Sequence, residues 1–273
     1  MINRIVRILE LLVKNRKVKV TMLAEMLDVS QVTLRRDLDM LEKRGIICRL
    51  HGYASLDGAD ETAKKLALFH SIKQRIAKAA AEKIEDGETV MIESGSCCAL
   101  LAEEIVLAKK NVTIVTNSLF IKNYINNLPG LKLILLSGYL QPESQVLVGP
   151  LTIKSSENIF TDKFFLGTNG YIAGHAFTGR DLLCAETAFG LAKQANKVFI
   201  LTESAKFKNR GAYSLLRLDN ITGIFTDDKI PKEAEDTLIK NNVQLYKVPF
   251  AEEIIRWCNI PGYPPFLYRE KAE

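Results

Sequence analysis

Residues 30–45 read SQVTLRRDLDMLEKRG, and this stretch decides the fold of the N-terminal part of the chain. Ser30 is a helix-capping residue type placed directly ahead of an apolar seam. The seam is Leu34, Leu38 and Leu41, spaced i, i+4, i+7. Gly45 stands where a helix commonly ends in a left-handed residue. With about 100° per residue, turning the leucines inward leaves Val32, Arg36 and Lys43 nearly opposite them. Arg35 and Thr33 then lie on the flanks, and Gln31 sits in the first turn. The plainer explanation is a solvated face with pairs such as Asp39–Lys43. The surroundings favour another.

Upstream, RIVRILELLVK (4–14) places Ile5, Ile8 and Leu12 on one helical face. NRKVK reads as a basic turn. Thr21 is expected to cap a second helix, TMLAEMLD, with Leu23, Met26 and Leu27 inward, and Asp28-Val29 as a tight connection. Downstream, IICRLHGYASL is rich in strand formers around Gly52 and reads as a hairpin wing. Three helices and a wing make a compact unit. Residues 1–57 hold 11 Lys+Arg against 7 Asp+Glu, whereas the remainder holds 26 against 25, so most of the net +5 sits at the N-terminal end. A local basic excess suits a polyanion. The outward side chains suit a major groove: arginine bonds guanine bidentately or grips phosphate, and glutamine pairs with adenine.

The rest of the 273 residues has a globular composition, 47% hydrophobic and 25% charged. DGADETAKKL, polar and without an apolar period, reads as a linker, and a helix is expected from about Ser71 to Glu85. Apolar runs then alternate with helical stretches: TVMIE, VTIV, LKLILL, KFFLG, KVFIL, ITGIFT and VQLYKV, with helices expected at Ala185–Asn196 and Pro231–Asn241. That alternation indicates a mainly parallel sheet covered on both faces, with ligands outside the carboxyl ends of its strands. No apolar run approaches the roughly 20 residues of a membrane helix, and Arg4, Arg7 and Glu10 make the N-terminus a poor signal peptide. Five cysteines without a CxxC pair and three scattered histidines give no metal-ligand spacing. Free thiols in a cytoplasmic protein without metal or cofactor are the expectation.

VTMLAEMLDVSQVTLRRDLDMLEKRGIICRLHGYA resembles the N-terminal helix-turn-helix of the DeoR family of bacterial transcriptional regulators. The matching residues are Leu23-Ala24, Val29-Ser30, Thr33, Arg35-Arg36-Asp37-Leu38, Leu41-Glu42, Gly45, Arg49, His51 and Gly52; Tyr53 departs from the family's usual glycine. Helix face and resemblance together make Ser30, Gln31, Thr33, Arg35, Arg36, Lys43, Arg49 and His51 the candidate DNA-binding residues. The resemblance continues through ESGSCC (93–98), TNS (116–118), DKFFLGTNG (162–170) and TESAKF (202–207). It implies a C-terminal sensor domain similar to ribose-5-phosphate isomerase and glucosamine-6-phosphate deaminase. Glu93, Cys97, Cys98 and Tyr139 depart from the family pattern. The implied domains are a winged helix-turn-helix over 1–57, a linker over 58–70, a sensor over 71–250 and an extension over 251–273.

A Gly/Ser turn from strand to helix offers N–H groups and hydroxyls to an anion. With the resemblance, the candidate effector-binding residues are Ser94, Gly95 and Ser96 on that turn, Asn117 and Ser118 for sugar hydroxyls or the phosphate, Lys206 for the ligand's charge, Arg180 as a further anion ligand, and Lys163, which either lines the pocket or forms a surface salt bridge. The expected function is a sequence-specific DNA-binding regulator, a repressor of a carbohydrate-utilisation operon, with a phosphorylated sugar as effector. A homo-oligomer is expected, because paired recognition helices match paired half-sites. The alternative is a sugar-phosphate isomerase or deaminase. The related isomerases carry acids in a Gly-Ala-Asp-Glu stretch; here Asn169 and Gly170 replace them, while Glu93 and Glu186 remain as carboxylates. A third reading makes Cys97-Cys98 nucleophilic at a helix N-terminus.

Overall fold

A computed structural model describes residues 2–58 and 61–250. The extension expected over 251–273 lies outside the described residues. The chain forms two compact units, with a boundary between Ser71 and Ile72.

The first unit runs α1 (Ile2–Asn15), β1 (Lys17–Lys19), α2 (Val20–Leu27), α3 (Gln31–Lys43), β2 (Cys48–Leu50), β3 (Tyr53–Ser55) and α4 (Glu61–Ala67). Ile8, Leu9, Leu12, Leu23, Leu34, Leu38 and Leu41 are buried and form its core. The expected basic turn is a short strand: Lys17–Lys19 pairs antiparallel with Tyr53–Ser55, so the wing has three strands, ordered β1-β3-β2. Val18, the one apolar residue of that strand, is buried there. Thr21 does not cap α2. The cap is Lys19, without a side-chain bond, and Thr21 falls inside the first turn. Met26 is half-exposed, and Ala24 takes its place in the core. The stretch read as a linker carries α4, which buries Thr62, Ala63, Leu66 and Ala67. Its apolar spacing, i, i+3 and i+4 from Ala63, is a helical signal only one turn long.

The second unit contains α5 (His70–Ala81), β4 (Thr89–Ile92), α6 (Ser96–Ala108), β5 (Thr113–Thr116), α7 (Leu119–Ile125), β6 (Lys132–Leu135), β7 (Tyr139–Gln141), β8 (Val146–Val148) and α8 (Pro150–Ser156). It continues through β9 (Thr161–Leu166), β10 (Gly170–Ile172), β11 (Ala176–Gly179), α9 (Leu182–Ala192), β12 (Ala195–Leu201), β13 (Tyr213–Arg217), β14 (Gly223–Asp227), α10 (Lys232–Lys240) and β15 (Gln244–Val248). A seven-stranded sheet has the order β15-β14-β12-β9-β4-β5-β6, and all its pairings are parallel. The inner strands are apolar on both faces: Val90, Met91, Ile92, Phe164, Phe165 and Leu166 are all fully buried. The chain winds outward from β4 to β6, then returns to place β9 on the other side of β4. The crevice between the carboxyl ends of β4 and β9 is therefore the topological switch point, where open α/β sheets bind ligands. A hairpin (β7–β8) and an antiparallel sheet (β10-β11-β13) are added at this level. Among the described residues no helix is long and apolar enough to cross a membrane.

Candidate functional site

The first candidate surface is α3. Ser30 caps it, its Oγ accepting from the Thr33 N–H at 3.1 Å and lying 2.9 Å from Thr33 Oγ1. The turn before it is closed by Asp28 in the left-handed region at φ 52°. Gly45, at φ 73°, ends the helix, with the Ile46 N–H reaching back to Leu41 O at 2.9 Å. Leu34, Asp37, Leu38 and Leu41 face inward. Asp37 is held by Arg4 through both Nε and Nη2, tying α3 to α1. Gln31, Val32, Arg35, Arg36 and Lys43 are exposed. Among the described residues no carboxylate pairs with Arg35 or Arg36.

Arg49 departs from expectation. Its guanidinium is occupied by Asp39 and by Glu42, the latter at 2.7 Å, and its own N–H donates to Glu42 Oε1 at 3.0 Å. Burial works against its charge, but hydrogen bonds to Glu42 and Asp39 outweigh that and raise its pKa. A guanidinium neutralised by two carboxylates is a poor phosphate ligand, so Arg49 fastens the wing to α3. The same contact engages Asp39, the residue that the solvated-face explanation paired with Lys43. His51 and Gly52, at φ 50° and 80°, form a two-residue hairpin turn of the mirror-image type. His51 is exposed at its tip. Tyr53, the departing residue, carries Lys17 Nζ 4.7 Å above its ring.

The second candidate site lies at the switch point. Ser94, Gly95 and Ser96 follow β4, with Gly95 as N-cap of α6, and all three are half-buried. A Cβ on Gly95 would stand 3.8 Å from the Gly167 Cα, so the ends of β4 and β9 meet there backbone to backbone. Lys206 Nζ lies 3.8 Å from Glu203 Oε1, and Lys73 Nζ lies 3.9 Å from the same oxygen. Cys97 Sγ is 4.0 Å from the other Glu203 oxygen. Beside Glu203, the Ser204 N–H donates to Asp227 at 2.7 Å. Burial raises the Asp227 carboxyl, with the Ser204 bonds opposing. Lys73 was not legible as a site residue. Its one signal is register: it lies on the stripe of Ala77 and Ala80, both fully buried, where a lysine needs an anionic partner.

Other expected effector residues are used differently. Lys163 pairs with Glu88 near the amino end of the sheet, opposite the switch point, because it is the third residue of β9. Ser118 is fully buried, and its Oγ caps α7 by accepting from the Ile121 N–H at 3.1 Å. Asn117 donates to Leu147 O at 2.9 Å, while its buried Oδ1 lacks a hydrogen-bond partner among the described residues. Arg180 is exposed just after β11, beside Asp181, which caps α9. The nucleophilic reading of Cys97-Cys98 fails. Both thiols are buried, and burial first, then Glu203 at Cys97 and Glu93 at Cys98, pushes them well above the ordinary range. At Gly170 a Cβ would come within 2.4 Å of the Asn209 carbonyl oxygen, leaving no room for an acidic side chain.

The profile of the DeoR-like helix-turn-helix domain matches residues 4–59, and that of the DeoR C terminal sensor domain matches residues 69–228. The chain is 30% identical over 230 residues to the HTH-type transcriptional regulator GolR of Listeria innocua, covering 83% of this chain and 90% of that one. It is 28% identical over 253 residues to the lactose phosphotransferase system repressor of Streptococcus mutans, covering 87% and 98%. Ribose 5-phosphate isomerase from Plasmodium falciparum is similar in structure at a TM-score of 0.39 and 16% identity, over 52% of this chain and 55% of that one. With an exposed arginine-bearing helix in one unit, a polar switch point in the other, and both family profiles in matching order, the chain belongs to the DeoR family of transcriptional regulators.

Proposed function

We infer that this protein represses a carbohydrate-utilisation operon and is not an enzyme. The observation that carries the DNA-binding half is α3, which offers Gln31, Arg35, Arg36 and Lys43 to solvent while four of its residues face inward. Gln31, Arg35 and Arg36 lie near its N-terminal end and face base edges and the nearest phosphates. Lys43, in the last turn, faces a phosphate, as does His51 on the wing. Ser30 and Thr33 serve the cap and place the helix N-terminus against the backbone.

The effector is a phosphorylated sugar at the carboxyl ends of β4, β9 and β12. Its phosphate takes the Ser94–Ser96 turn and Lys206. Its hydroxyls take Asn117, whose buried Oδ1 is an acceptor with no hydrogen-bond partner among the described residues. Arg180 is the outer anion contact. The name of the lactose phosphotransferase system repressor supports the repressing sign and the carbohydrate class. The missing acid at Gly170 supports binding without turnover. The protein acts in the cytoplasm as a homo-oligomer on paired half-sites. Effector occupancy and operator affinity are coupled, so each weakens the other reciprocally.

The test is a gel shift on the upstream region of the protein's own gene, with a panel of phosphorylated and unphosphorylated sugars. The expected result is a specific complex released by one phosphorylated sugar and untouched by its dephosphorylated form. A complex indifferent to every sugar phosphate, or turnover of one at ordinary enzyme rates, overturns the proposal.

A further inference from the structure

Val32 is 63% exposed at the second position of α3, flanked by the side chains proposed to enter the major groove. Its placement follows from helix geometry. With about 100° per residue, Arg36 lies about 40° to one side of it and Arg35 about 60° to the other. Leu34, Leu38 and Leu41, all buried, lie about 120–180° away. Val32 is thus the outermost side chain of the first turn. Lys43 shares its face but stands about 16 Å further along the axis. A β-branched apolar residue at 63% exposure adds little to the core, and it is a weaker helix former than the polar alternatives.

The neighbouring hydroxyls are not competing readers. Ser30 Oγ and Thr33 Oγ1 lie 2.9 Å apart, and Ser30 also accepts from the Thr33 N–H, so both are engaged in the cap. That leaves one amide, one isopropyl group and two guanidiniums directed outward. In a major groove the amide and guanidiniums find base acceptors and donors. The isopropyl group has only one partner of its own kind there, the 5-methyl group of a pyrimidine.

We propose that Val32 is a specificity-determining residue that reads a thymine 5-methyl group in the operator, between the base pairs contacted by Arg35 and Arg36. This rests on the reading of α3 as the recognition helix. The contact is apolar and carries no charge. It selects thymine without contributing to salt-dependent attraction.

The test uses the full-length chain and the duplex it protects in its own upstream region. Each thymine of that duplex is replaced in turn by deoxyuridine, which deletes only the methyl group. Each cytosine is replaced in separate duplexes by 5-methylcytosine. Dissociation constants at one fixed salt concentration are measured for the wild type and for Val32→Ala. The expected result is one thymine per half-site whose replacement weakens the wild type about fourfold, the effect of losing one buried methyl-sized contact. Val32→Ala shows no loss at that position and has an unchanged salt slope. Its far-UV circular dichroism and its binding to unrelated DNA match the wild type. If no thymine shows a Val32-dependent loss, or if only a 5-methylcytosine shows a Val32-dependent gain, the assignment falls while the regulator reading stands. If the wild type binds no sequence in the upstream region specifically, the regulator reading falls and takes this assignment with it.

Discussion

Arg35, Arg36 and Arg49 sit within one small unit, yet replacing each with alanine should have separable effects. Arg35 and Arg36 are exposed, and among the described residues neither has a carboxylate partner. Removing either should therefore change folding stability by no more than about 0.5 kcal/mol. An arginine bonding a guanine bidentately contributes about 1–3 kcal/mol of discrimination, or about 5- to 150-fold in affinity for the specific sequence alone. An arginine on phosphate weakens every sequence alike and lowers the salt slope by about 1. Arg49 behaves in the opposite way. Its side chain is 28% exposed and joins Asp39 and Glu42 across the wing and α3. Screened by solvent, that link contributes about 0.5–1 kcal/mol to stability. Arg49→Ala should thus lower the urea midpoint, and by freeing two carboxylates it should weaken all DNA sequences equally. The assay is fluorescence anisotropy against the protected upstream duplex and a scrambled duplex at several salt concentrations, with urea unfolding of each variant. Unchanged operator affinity in the Arg35→Ala/Arg36→Ala double variant would refute the recognition-helix assignment. An Arg49→Ala variant that relaxes base preference at full stability would refute its structural role.

Three further outcomes are expected. Lys206→Ala should blunt the response of the operator complex to its sugar phosphate by about tenfold, while apo binding, read by the same gel shift, stays intact; an unchanged response would deny Lys206 its ligand role, whereas loss of both would point to misfolding. Gly170→Ala should destabilise the chain by about 1–3 kcal/mol, as overpacking does, because its Cβ meets the Asn209 carbonyl oxygen at 2.4 Å; an unchanged urea midpoint would show that this loop yields freely. Maleimide labelling of the native protein, followed by mass spectrometry, should modify the half-exposed Cys48 and Cys184 ahead of the buried Cys97 and Cys98. Because burial raises both buried thiols, less thiolate is present at any pH, and raising the pH from 7 to 9 should not close the gap; early labelling of Cys97 would contradict its burial.

The sequence carried the signals that repeat. The seam of Leu34, Leu38 and Leu41 is periodic and the seven apolar runs alternate with helical stretches, and both patterns can be read without knowledge of neighbours in space. What it missed was short or non-local. Lys17–Lys19 is a strand only because β3 lies beside it, and α4 has one turn of apolar residues. Lys163 and Arg49 were sound candidates by type, but their partners Glu88 and Asp39 set their roles.

By itself, the sequence determined the two-part organisation, the inward and outward faces of α3, and the family, because each rests on local spacing or on residue identity along the chain. The tertiary structure alone decided which polar groups remain available. It committed Arg49 and Ser118 to scaffolding, and it gathered Lys73, Glu203 and Lys206 at one end of the sheet. A charged side chain is neutralised or left available by atoms distant in sequence, and only folding brings those atoms within a few ångströms.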